Sequence, residues 1–228
     1  WKQKRLNWHL ALGLGQENYR FHDHEKLAHY ANAAADIEFK FPFGFKELEG
    51  IHSRTDFDLG AHEKYSGRKL QYFDPERNET YVPYVVETSI GLDRMFLALF
   101  SHCLKNEVLE DGSERVVLAL PPALAPVKAA ILPLVKKDGL PELAEKIFND
   151  LKYDFNIISE EKDSIGKRYR RQDAIGTPFC ITVDHDSLAD GTVTLRERDT
   201  MKQERVKIED LRKIIDDKVN FRTLLSKI

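Results

Sequence analysis

At 228 residues the chain exceeds the usual size of one compact unit, and two domains are expected. Its 35 Lys and Arg against 38 Asp and Glu, 14 against 18 in residues 1–112 and 21 against 20 in residues 113–228, exclude a polybasic arm, so any nucleic-acid contact must come from a local patch. No apolar run is long enough for a bilayer and the start carries no secretory signal, so a soluble cytoplasmic protein is expected, with Cys103 and Cys180 as core thiols rather than a disulfide or zinc pair.

The chain opens on a charged, amphipathic run from Trp1 to Leu14, and its first residue is not Met, so it is expected to begin inside something longer. Residues 20–36 are polar and Ala-rich. His22-Asp23-His24 carries metal-ligand side chains, but the partners a structural metal needs are missing nearby, and a solvated loop is expected. Alternation of apolar and polar residues then marks strands at Ile37–Phe41 and Glu47–Ile51. Leu70–Phe73 and Thr80–Val82 flank the turn-forming Asp74-Pro75-Glu76-Arg77-Asn78, a hairpin, so the first half is expected to be an antiparallel sheet. An apolar strand from Tyr84 leads through Glu87 and Ser89 into a helix with the stripe Leu92, Met95, Phe96, Leu99, Phe100 and Cys103, expected to lie on that sheet.

Glu107 to Glu114 is acidic and aperiodic and is expected to be the linker between domains 1–112 and 113–228. Beyond it Val116–Leu120 reads as a strand, Val127–Val135 and Leu143–Leu151 as helices, and Asn156–Ile158 as a strand. Ser164–Gln172 reads as a helix ended by Gly176. Phe179–Val183 and Thr192–Leu195 are strands, Asp184-His185-Asp186 a turn, and Ile208, Leu211, Ile214 and Ile215 a last helix. A mixed α/β sheet flanked by helices follows.

Alternation also locates chemistry. Glu47 and Glu49 flank Leu48, so both acids are expected on one face, either as a ligand site or as exposed strand carboxylates. Glu87 and Ser89 likewise share a face, with Arg94 just beyond. Arg suits phosphate through its planar fork and a carboxylate suits an ammonium, so this segment can hold an anionic and a cationic ligand group; the competing expectation for Arg94 is an ordinary ion pair. In the second half Lys162, Lys167, Arg168, Arg170 and Arg171 form one basic stripe, and Arg196, Arg198, Lys202 and Arg205 a second. With Tyr169 and Phe179 for stacking they make an RNA footprint, unless they are solvated charged faces.

Phe41-Pro-Phe-Gly-Phe-Lys-Glu-Leu-Glu-Gly-Ile51, Arg54-Thr-Asp-Phe-Asp-Leu59, Glu87-Thr-Ser-Ile-Gly-Leu-Asp-Arg94 and Thr192-Val-Thr-Leu-Arg-Glu-Arg-Asp199 together resemble the C-terminal half of glycyl-tRNA synthetases of the homodimeric class II type. The resemblance implies an α+β architecture: the antiparallel remnant of a class II catalytic domain, its third class motif at 87–94, followed by a mixed-sheet anticodon-binding domain. It implies a ligase that activates glycine with ATP to glycyl-adenylate and passes glycine to its tRNA, with ATP and Mg²⁺ required and a homodimer in the full enzyme. Under it Arg94 and Glu47 are catalytic, and Glu87, Thr88, Ser89, Ile90 and Gly91 bind glycine. Glu47, Leu48, Gly91, Leu92, Asp93 and Arg94 bind ATP, Glu47 touches the Mg²⁺ of Mg-ATP, and Lys167, Arg168, Arg171, Arg196 and Arg198 contact the anticodon. Arg54, Asp56 and Asp58 either brace the pocket or form structural ion pairs. The first two class motifs would precede Trp1, so the chain alone is expected to be inactive toward adenylate formation. The alternative is a non-catalytic accessory subunit of a mitochondrial DNA polymerase, which resembles the same architecture but has no need of Glu47, Glu87, Ser89 and Arg94.

Overall fold

The computed structural model describes residues 1–226. They gather into two compact units, one of Trp1–Leu10 with Leu14–Ser101, the other of Ala11–Gly13 with the described residues from His102 on.

The first unit is built on a four-stranded antiparallel sheet of order β1-β2-β3-β6, formed by β1 (Tyr19–Asp23), β2 (Ala33–Phe41), β3 (Gly44–Ser53) and β6 (Val86–Ile90). Helix α1 (Lys2–Ala11) precedes it, α2 (Phe57–Ser66) and the hairpin β4 (Tyr72–Asp74)–β5 (Glu79–Tyr81) lie between β3 and β6, and α3 (Leu92–Cys103) follows. Alternation does what it predicts in β2, where Ile37, Phe39 and Phe41 are buried. His22 and Asp23, expected in a solvated loop, instead end the edge strand β1. Four of its five residues are exposed, and only Tyr19 is buried, so its alternation of Tyr19 and Phe21 is too short a signal to mark a strand.

The stripe on α3 divides differently from its sequence pattern. Met95, Ala98 and Cys103 are buried, whereas Leu92, Phe96 and Phe100 stay exposed, the last two with stacked rings. The apolar arc of this helix is wider than the surface that covers it in this chain.

The second unit opens with the ribbon β7 (Leu104–Val108)–β8 (Glu114–Leu118). The segment expected to be a linker is therefore this ribbon and its turn, and the unit begins about ten residues before position 112. Then come β9 (Ala129–Pro133), α4 (Leu140–Leu151), β10 (Ile157–Ser159), α5 (Ile165–Ile175), β11 (Phe179–Val183), α6 (His185–Asp190), β12 (Thr192–Glu197), β13 (Gln203–Lys207), α7 (Leu211–Val219) and α8 (Phe221–Leu225). The sheet has the order β10-β9-β11-β12-β13, parallel among the first three strands and antiparallel beyond.

Residues 127–135 are not a helix. β9 is the second strand of this sheet and every one of its residues is buried. Ala129 and Ile131 pack with α4 and α7, while Ala130 and Leu132 pack with Cys180, Ile165 and Tyr169 on the other face. A strand covered on both sides has no polar half to reveal its period of two. Asp184 likewise opens a short helix rather than a turn, accepting the Ser187 amide at 3.1 Å in a capping box.

Gly176 ends α5 at φ +85°, and a Cβ placed there would lie 2.9 Å from the Leu118 carbonyl oxygen. Left-handed backbone alone costs an L-residue roughly 1–2 kcal/mol. Gly176→Ala is therefore expected to lower the stability of this unit by at least that much in urea unfolding; an unchanged midpoint would show that the Leu118 strand yields without cost.

Candidate functional site

One residue in β3 decides which side chains meet. Ile37 pairs with Glu49 and Glu38 with Glu47, so Leu48 is left opposite nothing, a β-bulge that reverses the alternation. The expectation that Glu47 and Glu49 share a face therefore fails. Glu49 goes into the core, where its carboxylate pairs with Arg5 and lies 2.7 Å from His9 Nε2. Burial pushes the Glu49 carboxyl upward in pKa, and its bonds to His9 and Arg5 outweigh that and hold it below the usual range.

Glu47 goes to the opposite face. Following the cross-strand partners, Glu47 lies beside Glu38, two residues from Asp36; Asp36 faces Gly50, Gly50 faces Ser89, and His52 faces Glu87. Glu47, Ser89 and Glu87 thus share one polar face of the sheet. Arg94, from the first turn of α3, joins them: its Nη1 donates to the Glu47 carbonyl oxygen and lies 3.5 Å from Glu47 Oε2. The ion pair that sequence offered as the competing role of Arg94 exists, and its partner is Glu47. Both side chains are about half exposed, so the pair is open to exchange for a ligand.

Glu87 Oε2 accepts from Arg54 Nη1 at 2.6 Å, and Arg54 grips Asp58 with Nε and Nη2 at 2.6 and 3.0 Å. Arg54 is thus ion-paired to both Asp58 and Glu87, an arrangement common to the two expected roles of bracing and structural ion pairing; Asp56 sits at the start of α2 with no capping bond from its side chain. Thr88 faces Ile51, on the side of the sheet away from Glu87, and Ile90 faces Glu49 on that same side, so these two could offer a ligand only their main chain. Leu48 is buried and Leu92 exposed, while Gly91 gives its carbonyl to the Met95 amide as α3 begins.

Sequence reasoning missed Asp36 and His52, and expected His24 only in a solvated loop. His24 Nε2 lies 2.8 Å from Asp36 Oδ2, and the His24 and His52 rings are 6.1 Å apart. Asp36 alternates with the apolar Ile37 and Phe39, which is the signal that could have placed it on the polar face. Among the described residues no group of three His, Cys, Asp or Glu side chains could hold a metal ion, and no helix is long and apolar enough to cross a membrane.

In the second unit three of the five expected RNA contacts are interior. Arg168 donates to the carbonyls of Pro133, Glu160 and Leu134. Arg196 makes two bonds to Asp173 at 2.8 and 2.9 Å, with Arg115 on the same carboxylate at 3.1 Å. Arg198 donates to Gly176, Leu120 and Asp199. All three guanidiniums are at most 5% exposed; their Nη groups, and Nε of Arg198, are held by main-chain carbonyls and by Asp173 or Asp199, while Arg168 Nε has no hydrogen-bond partner among the described residues. Lys167 is exposed, and Arg171 is partly so, held by Glu160 and Asp163.

Residues 128–218 match the anticodon binding domain family. The chain is 55% identical over 207 residues to a glycine-tRNA ligase of Chlorobaculum tepidum, covering 90% of this chain and 44% of that protein. It is 54% identical over 216 residues to the glycine-tRNA ligase of Borrelia hermsii, covering 92% and 48%. It thus spans about half the length of the curated relatives it matches. A crystal structure described as the RNA binding domain of threonyl-tRNA synthetase from Cryptosporidium parvum Iowa II superposes with a TM-score of 0.60 at 20% identity, covering 82% of this chain and 43% of that one, which is a likeness of fold.

Proposed function

We infer, from this chain's similarity to glycine-tRNA ligases and the match of its second unit to the anticodon binding domain family, that its two units serve the two ends of one reaction. The first binds glycine and ATP for adenylate formation; the second binds the anticodon of the tRNA that receives glycine on its terminal ribose. The observation that carries this is the shared face of Glu47, Ser89 and Glu87 with Arg94 at its edge.

In the first step a carboxylate oxygen of glycine attacks the α-phosphorus and pyrophosphate leaves. Such a step needs alignment and stabilisation of charge on the phosphate oxygens. Glu87 takes the glycine ammonium and the Ser89 hydroxyl hydrogen-bonds beside it. Arg94 turns from Glu47 to the phosphates, helped by the unpaired amides of the first turn of α3. Glu47 fits a magnesium role: Mg²⁺ is usually held by one or two carboxylates plus substrate phosphates, and among the described residues this exposed carboxylate has only the 3.5 Å contact to Arg94. When bound with ATP the ion would neutralise charge on the triphosphate. Glycine is selected chiefly by exclusion of side chains, since a pocket gains little from a substrate that has none.

The chain spans about half of its relatives' length, so adenylate formation is assigned to the intact protein, as a cytoplasmic homodimer, and not to these 228 residues alone. On the second unit the anticodon contacts narrow to Lys167 and Arg171 with the exposed Lys162 and Lys202, since Arg168, Arg196 and Arg198 are enclosed. A non-catalytic accessory role is disfavoured, because it gives no reason for acid, hydroxyl and guanidinium to gather on one face.

Glycine-dependent exchange of pyrophosphate into ATP by the intact protein tests the assignment. Arg94→Ala is expected to reduce the exchange by roughly 100-fold, the scale of losing one charge-stabilising donor. Exchange that is indifferent to this substitution would place the nucleotide elsewhere.

A further inference from the structure

The strongest unassigned feature is the set of contacts that Arg54 makes on the far side of Glu87. The planar fork of Arg54 is divided: Nε and Nη2 bind both oxygens of Asp58, and Nη1 binds one oxygen of Glu87. The guanidinium also lies 4.1 Å over the Tyr30 ring. The backbone is tied at the same place, with the Arg54 amide on the Val85 carbonyl at 2.8 Å and the Val85 amide on the Thr55 carbonyl at 2.9 Å. Thr55 holds φ +55°, a conformation a β-branched residue seldom adopts unless its surroundings require it. Three directions of restraint therefore meet on one guanidinium: Asp58 from the first turn of α2, Tyr30 from the segment before β2, and the start of β6.

We propose that Arg54 is a positioning residue for Glu87: anchored by Asp58 and Tyr30, it occupies Oε2 and leaves Oε1 as the oxygen that receives the substrate ammonium. Among the described residues Oε1 has no hydrogen bond. The role rests on the glycine assignment proposed above and adds to it the device that fixes where the ammonium sits. A carboxylate on a strand end otherwise rotates about its side-chain torsions, and a misplacement of about 1 Å is enough to cost a large factor in rate or affinity. The contacts are partly open to water, with side chains 22 to 36% exposed, which is where ion pairs add little to folding. Their effect should appear in substrate affinity and not in stability.

Two variants of the intact protein test this. Arg54→Lys keeps the charge but has no fork to hold two carboxylates. Asp58→Asn leaves Arg54 and its bond to Glu87 but weakens the anchor. Both are measured by pyrophosphate exchange with glycine and ATP varied separately, and by thermal unfolding. The expected result is a KM for glycine raised by roughly 10- to 100-fold in Arg54→Lys and less in Asp58→Asn, with the KM for ATP and the unfolding temperature near wild type. An unchanged KM for glycine in the folded variants overturns the positioning role, as does a parallel rise in both KM values, which would mark a general brace. Absence of glycine-dependent exchange in the wild-type protein is a separate result: it removes the glycine assignment, and this role with it.

Discussion

Replacing Asp173 by Ala is expected to lower the stability of the second unit by roughly 3–5 kcal/mol, the range found when one partner of a buried ion pair is removed. Asp173 is fully enclosed in α5 and accepts from Arg196 on β12 and Arg115 on β8. Without it Arg196 keeps its charge in a site whose remaining neighbours include the Tyr169 ring, 4.8 Å away, and no other acid within ion-pairing distance among the described residues. Arg115 retains Glu107. Urea unfolding, followed through hydrogen exchange of the β11 and β12 amides, reads the loss. A change below about 1 kcal/mol would mean that water reaches Arg196 in the native fold. The double replacement Asp173→Leu with Arg196→Met should recover most of the loss, because hydrocarbon of similar volume removes both charges together.

Glu49→Ala is expected to cost the first unit about 3 kcal/mol, since it leaves Arg5 and His9 without their common acceptor in the core. The same carboxylate gives this unit an acid limit. Its pKa is lower folded than unfolded, so its contribution is complete above the unfolded carboxylate value of about 4.3 and declines as pH falls through the folded value. Chemical unfolding between pH 7 and pH 3 should therefore show wild type and Glu49→Ala converging as the solution becomes acid. Parallel curves would show that the carboxylate does not carry the pH dependence.

What could be read from the letters follows from where information is local. β2 announces itself by alternation, and α4 by its apolar spacing, because each has one dry side and one wet side. β9 could not, being dry on both, and β1 and β13 could not, being mostly exposed. The four site residues Glu47, Glu87, Ser89 and Arg94 were legible as types and spacings. Their common face was legible only for Glu87 and Ser89, because Glu47 reaches it through a bulge, which is a property of two paired strands and not of one. The arginines of the second unit misled for a related reason. A run such as Lys167-Arg168-Tyr169-Arg170-Arg171 defaults to a solvated surface, and the acceptors that draw Arg168 inward are main-chain carbonyls of Pro133 and Leu134, more than thirty positions away.

The unpaired Leu48 makes β3 a strand of two parities. Before it, odd-numbered side chains look one way; after it, the even-numbered ones do. Without that single residue Glu47 and Glu49 would be neighbours in an unbroken ladder, still opposite Glu38 and Ile37, so each would keep its side and the strand would lose only the buried Leu48. The extra residue is what allows two acids separated by one position to serve opposite sides of the sheet, one in the core and one in the cleft.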